Sequence, residues 1–208
     1  MKKLLALLFS IFFLSSTSVF ADDISDFQIE GISVGDSLLD HMTENEIFEE
    51  IRSNTNQYPY LKEPYKYLHI NYYPDSSTYY GLAFLIKNNS INEYVTSKDE
   101  KIIILSINGF IEFNENKDGC IQKHDEIVEV LSEMFPNQIK REWSSDYSPD
   151  PSGNSNVFGI EFQFNSGAEI EVQCIDMEKT FRIKSNWSEG LFVSIHSKET
   201  VKWLNDYK

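Results

Sequence analysis

Positive charge is scarce in this sequence. Its 208 residues carry 18 Lys and Arg against 33 Asp and Glu, a formal net charge of −15. Attraction to a phosphate backbone or to anionic lipid rests on clustered Lys and Arg, so the balance excludes nucleic acid and acidic membrane surfaces as natural partners. Cysteine is nearly absent: Cys120 and Cys174 are the only two. A zinc site needs four ligands, and no further Cys or His stands at motif spacing, so the pair Cys120 and His124, four residues apart, does not amount to a metal centre. Beyond the first 21 residues no segment is apolar and long enough to span a bilayer. No Pro-, Gly- or Ser-rich linker divides the remaining chain, which reads as one domain over residues 22–208.

The first 21 residues are of another kind. Lys2 and Lys3 precede the apolar block Leu4 to Leu14, and small residues lead to Val19-Phe20-Ala21. This is a secretory signal layout, with Asp22 as the mature N-terminus and no cysteine near the cut to take a lipid anchor. Loss of the two lysines would leave 16 basic residues against 33 acidic ones. Export to the periplasm or the exterior exposes thiols to oxidation, and two cysteines then predict a Cys120 to Cys174 disulfide.

Periodicity supplies the elements. In Cys120 to Phe135, residues Ile121, Ile127, Val128, Leu131, Met134 and Phe135 fall on one helical stripe, which predicts a helix of about four turns with a wide apolar face. A second helix is expected over roughly Leu38 to Arg52, interrupted near Thr43, where Thr43 and Glu46 form a capping box. A short C-terminal helix starts near Lys198, capped by Ser197, with Val201 and Leu204 facing inward. Strands alternate around Leu68, Ile70 and Tyr72, and again around Tyr80, Leu82, Phe84 and Ile86. Val157 to Met177 reads as a hairpin turning at Asn165-Ser166-Gly167. The apolar run over residues 102–113 is one strand or two turning at Asn108-Gly109, with the Asn-Gly dipeptide favouring two. Ser144 to Asn156 has no periodicity and reads as a long exposed loop. The sum is α+β: an antiparallel sheet packed by two main helices and a short C-terminal one.

The Gly35-Asp36-Ser37 entry after Ile32, and the repeated order of helix then strands, resemble the small domains of outer-membrane assembly lipoproteins of the SmpA/OmlA kind and of β-lactamase-inhibitor proteins. That resemblance implies a periplasmic binding or assembly module without catalysis, whose partner is another periplasmic protein or a small ligand.

Three signals bear on chemistry. Gly35-Asp36-Ser37-Leu38 resembles the nucleophile block of GDSL-type serine esterases, which implies Ser37 as nucleophile. A serine hydroxyl needs an oriented histidine to take its proton, and none of the four histidines stands in the Asp-x-x-His block that family uses. The alternative is a turn and helix cap. Asn114 to Asp125 spaces oxygen side chains like a calcium loop, but position twelve is Asp125 where a bidentate Glu is expected; the alternative is a polar turn in which Asp118 caps the following helix. No cofactor or metal is therefore assigned. Finally, residues 58–80 hold eight of the eleven tyrosines, and Tyr65, Tyr67 and Tyr73 form a candidate stacking surface for a glycan or peptide.

Overall fold

The computed structural model describes residues 24–53, 58–74, 78–88 and 102–207. The expected signal segment lies outside these residues. Helix α1 (Glu44–Ser53) precedes strands β1 (Tyr67–Tyr72), β2 (Gly81–Lys87) and β3 (Ile104–Glu112). Then follow helix α2 (Lys117–Met134), strands β4 (Ile139–Asp146), β5 (Asn156–Gln163) and β6 (Glu169–Asp176), helix α3 (Lys179–Ser185), strand β7 (Gly190–His196) and helix α4 (Lys198–Leu204). The strands form one seven-stranded sheet in the order β1-β2-β3-β7-β6-β5-β4, antiparallel throughout. This is the expected α+β class with helices packed on an antiparallel sheet.

Because side chains alternate across a strand, the register sorts the whole chain onto two faces. Ile70, Phe84, Ile107, Val193, Val172 and Ile160 lie on one face, all buried in a single core. Helix α2 seals this face, contributing Cys120, Leu131 and, just past its end, Phe135. The stripe read from the sequence is right in direction, although Ile121 and Ile127 are only half-buried. Cys120 and Cys174 form the expected disulfide, with Cα atoms 6.2 Å apart, tying the first turn of α2 to β6. Phe135 packs edge-on against Phe27 and Phe164.

Helix α1 covers the β1 side of the same face through Ile47 and Ile51. Its start is the expected capping box: the Glu46 carboxylate accepts from Thr43 N at 2.8 Å, and Glu46 N donates to Thr43 Oγ1 at 3.4 Å. A single 3-10 turn, Leu38–Asp40, stands before it, which is the interruption expected near Thr43.

Several elements differ from the reading above. Residues 104–112 are one strand, not two: Asn108 and Gly109 sit inside β3, and Gly109 leaves room for the ring of Tyr79, which a Cβ there would meet at 2.5 Å. Helix α2 begins earlier than expected, with Asn116, not Asp118, as its cap: Gly119 N donates to Asn116 Oδ1 at 3.0 Å. Ser144 to Asp146 belong to β4, a strand exposed along almost its whole length. The remaining loop is organised by Asp150, whose carboxylate accepts from Ser152 N and Oγ and from Ser155 N and Oγ at 2.6 to 3.1 Å. Those donors favour the anion and hold Asp150 below the usual carboxylate range. Helix α3 was not foreseen. In α4 the inward residues are Thr200 and Trp203.

Candidate binding trough

Among the described residues, the second face of the sheet is covered only at its ends. At one end α4 presses Trp203 onto Tyr67, Leu85 and Leu61, with the Trp203 N–H donating to Glu63 O at 2.8 Å. At the other, Phe181 of α3 joins Tyr147 and Trp187 in edge-to-face contacts, beside the small cluster of Val157, Ile175 and Met177. Between these two walls lies an open trough of about 550 Å³.

Its floor is built by register. Asn71, Ala83, Asn108, Ser194, Glu171, Glu161 and Arg141 are successive cross-strand partners from β1 to β4 on this face. The adjacent row runs Gly81, Phe110, Phe192, Gln173, Gly159 and Trp143. From these rows Asn71, Asn108, Ser194 and Gln173 line the trough with amides and a hydroxyl, while Phe110 and Phe192, with ring centroids 4.7 Å apart, give it an apolar strip. Tyr58, Tyr73, Tyr80, Tyr147 and Trp187 stand around it. A cavity of this volume, with aromatic walls and a few convergent polar groups, suits a small ligand or part of a larger one.

The Asn71 amide is held in place. The His69 ring lies 3.1 Å from Asn71 Oδ1 through Nε2 and 3.4 Å from the Tyr58 hydroxyl through Nδ1. Asn71 Oδ1 can only accept, so Nε2 carries the proton and Nδ1 accepts from Tyr58. Burial lowers the His69 pKa, against a smaller opposing pull from its bond to Asn71, which favours the neutral ring. Burial likewise pushes Tyr58 up to about 12, with Tyr60 adding to it, so its phenol stays a donor. Among the described residues no Lys or Arg lines the trough.

Acid collects beyond Ser194. Glu171 is pushed up to about 7, first by burial and then by the charges of Glu161 and Glu169. Burial also raises Glu169. The Trp143 indole N–H, which makes no hydrogen bond of ordinary geometry, is near enough to favour the Glu171 anion slightly.

The residues singled out from sequence fare differently. Tyr73, 65 % exposed, lines the trough. Tyr65, 57 % exposed, lies outside it before β1. Tyr67 is not outward at all: it is 3 % exposed, with its ring 4.8 Å from that of Trp203. The expected alternation placed it on the correct face, but α4 covers that end. The three therefore do not make one surface.

Ser37 is buried where residues 35–38 pair with the start of β3: Gly35 N donates to Ile104 O and Leu38 N to Ile102 O. It precedes the 3-10 turn without a side-chain cap bond, and among the described residues no histidine or carboxylate hydrogen-bonds its hydroxyl. A serine and histidine do meet elsewhere, Ser106 Oγ and His196 Nδ1 at 2.7 Å. Ser106 has no exposed surface, and burial pushes His196 down to about 4, so the pair is a neutral core contact and not a nucleophile. In the calcium-like segment, Asn114 is engaged with Glu112 and Glu189 N, and residues from Lys117 on are helical. Among the described residues no group of three His, Cys, Asp or Glu is placed to hold a metal. Cys120 is consumed by the disulfide, and His124 packs edge-on against Phe158.

Fold and site together define an α+β protein with an open-faced antiparallel sheet and a ligand-sized trough upon it. Comparison with protein-family models, curated proteins and solved structures finds no match to this chain.

Proposed function

We propose that this protein is a non-catalytic binding module of the periplasm or the extracellular space, and that it holds its ligand in the trough on the uncovered sheet face. The trough itself is the observation that carries this reading: amides and a hydroxyl on its floor and aromatic rings around it. The Cys120–Cys174 disulfide and the signal layout favour an oxidising compartment. Among the described residues no helix is long and apolar enough to cross a membrane. The resemblance to SmpA/OmlA-like and β-lactamase-inhibitor-like modules points the same way.

The lining also limits the ligand. With no Lys or Arg among the described lining residues and His69 favoured in its neutral form, an anionic ligand gains little there, whereas apolar or ring-bearing groups gain from stacking on Tyr80 and Trp187. Ligand screening by thermal shift, followed by titration of Trp fluorescence, tests the proposal. Tyr80→Ala and Asn108→Ala should each weaken the ligand found by roughly ten-fold while leaving the melting temperature within a few degrees. Ester hydrolysis that disappears in Ser37→Ala would overturn the reading in favour of the esterase alternative.

A further inference from the structure

We infer that the trough takes a neutral oligosaccharide, its sugar rings stacked on the aromatic walls and its hydroxyls paired with the side-chain amides of the floor. This rests on the trough being the binding site and names the chemical class it takes. Charge is what the lining avoids: none of the eighteen described residues around it is Asp, Glu, Lys or Arg, in a chain where these make up 25 % of all residues. A ligand desolvated against such a lining would leave any ionised group of its own unpaired, at a cost in affinity.

The lining offers rings and amides instead. Tyr80 is 70 % exposed and Trp187 47 %, so both present ring surface to water beside the cavity. A pyranose ring has faces of C–H groups, and the negative face of an aromatic ring attracts such hydrogens. On the floor, Asn71 spends its oxygen on His69 and keeps its amide N–H groups, while neither Asn108 nor Gln173 uses its side chain in a hydrogen bond to another described residue. An amide both donates and accepts, as does each sugar hydroxyl, so the two match without charge. Asn71 and Asn108 lie two strands apart in one cross-strand row, about 10 Å, and Gln173 lies two strands beyond Asn108 in the neighbouring row. A chain of sugar units can reach amides spread in this way, and a single small ring cannot.

Two other occupants match the lining less well. An alkyl chain would desolvate the amides without pairing them. A peptide commonly joins a sheet by extending an edge strand, but β2, β3, β7 and β6 under the trough are each paired on both sides and leave no ladder to extend.

Calorimetric titration of the intact protein with maltohexaose, cellohexaose and chitohexaose tests the assignment, with 1-octanol and an acetylated, amidated hexapeptide of alternating tyrosine and serine as comparison probes. At least one hexasaccharide should bind. Its affinity should fall by at least roughly ten-fold in Tyr80→Ala and in Gln173→Ala, with both variants melting within a few degrees of the wild type. It should change by less than about two-fold between roughly 0.05 and 0.5 M salt, because no ionised side chain takes part. Failure of all three hexasaccharides to bind would overturn the sugar assignment, as would an affinity that falls steeply with salt. Octanol or peptide binding that is lost in Tyr80→Ala, with no hexasaccharide bound, would overturn it and leave the trough standing as the binding site. A hexasaccharide bound as tightly by both variants as by the wild type would place the site elsewhere and overturn both readings.

Discussion

On the face that carries Val172 and Val193, aliphatic and aromatic side chains from the strands meet and α1 and α2 seal them from water. The face that carries Ser194 and Gln173 uses the very next residues of the same strands, and keeps amides, hydroxyls and carboxylates beside an open cavity. The two faces share one backbone, so the rigidity that the sealed face confers is inherited by the open one. Stability is concentrated where ligands have no access.

Four measurements break or sharpen that contrast. The largest effect should come from the disulfide, which joins α2 to a floor strand of the trough. Replacing Cys120 and Cys174 together by alanine should lower stability in urea by about 4 kcal/mol, the chain-entropy figure for a loop of this length. A loss under 1 kcal/mol would mean that α2 is held by packing alone. Next, Leu131→Ala on the sealed face should cost about 3 kcal/mol by leaving a cavity under β6 and β7.

On the open face the sign reverses. The folded state binds a proton at Glu171 up to about pH 7, whereas the unfolded chain releases it near the ordinary glutamate value of 4.5. Stability therefore falls as pH rises through that window. Glu171→Gln should raise stability at pH 8 by up to about 3 kcal/mol and change it little near pH 4. A destabilised variant at pH 8 would show that the carboxylate has a structural partner. Smallest of all, Asn108→Ala should move stability by less than about 0.5 kcal/mol, since its half-exposed amide faces the trough. A large loss there would deny that the open face is spared from supporting the fold.

The sealed face was largely legible in the sequence because burial on one side imposes a period on the residues. The β5 and β6 hairpin alternates cleanly through Phe158, Ile160 and Phe162 and back through Ile170, Val172 and Cys174, and α2 carries its stripe. Elements with little to bury leave no such trace. Strand β4 reads IKREWSSD because it is an edge whose side chains are mostly exposed, and α3 is a seven-residue helix with no buried side chain of its own. Asn108-Gly109 reads as a turn by local preference. In the fold, the Asn amide faces the trough and the missing Gly side chain admits Tyr79, so tertiary packing decides against the hairpin.

The trough was legible only in its tyrosines. Its floor draws one residue from each of several strands, and Asn71, Asn108, Gln173 and Ser194 become neighbours only through pairings between distant segments. The tyrosine-rich stretch was the available signal; it contributes Tyr58, Tyr73 and Tyr80 to the walls. What it could not convey is that Trp203, from the far end of the chain, would bury Tyr67.

The two edges of the sheet end differently. At β1 the outward backbone N–H of Asn71 is taken by the Glu50 carboxylate at 3.1 Å, so α1 closes that side. At β4 no element among the described residues lies across the edge, and the strand carries Lys140, Arg141 and Glu142 in water. A copy of the protein that tried to add its own strand there would have to strip solvent from those charges. Strand β4 thus acts on the sheet as a chain terminator acts on a growing polymer, opposing edge-to-edge accretion.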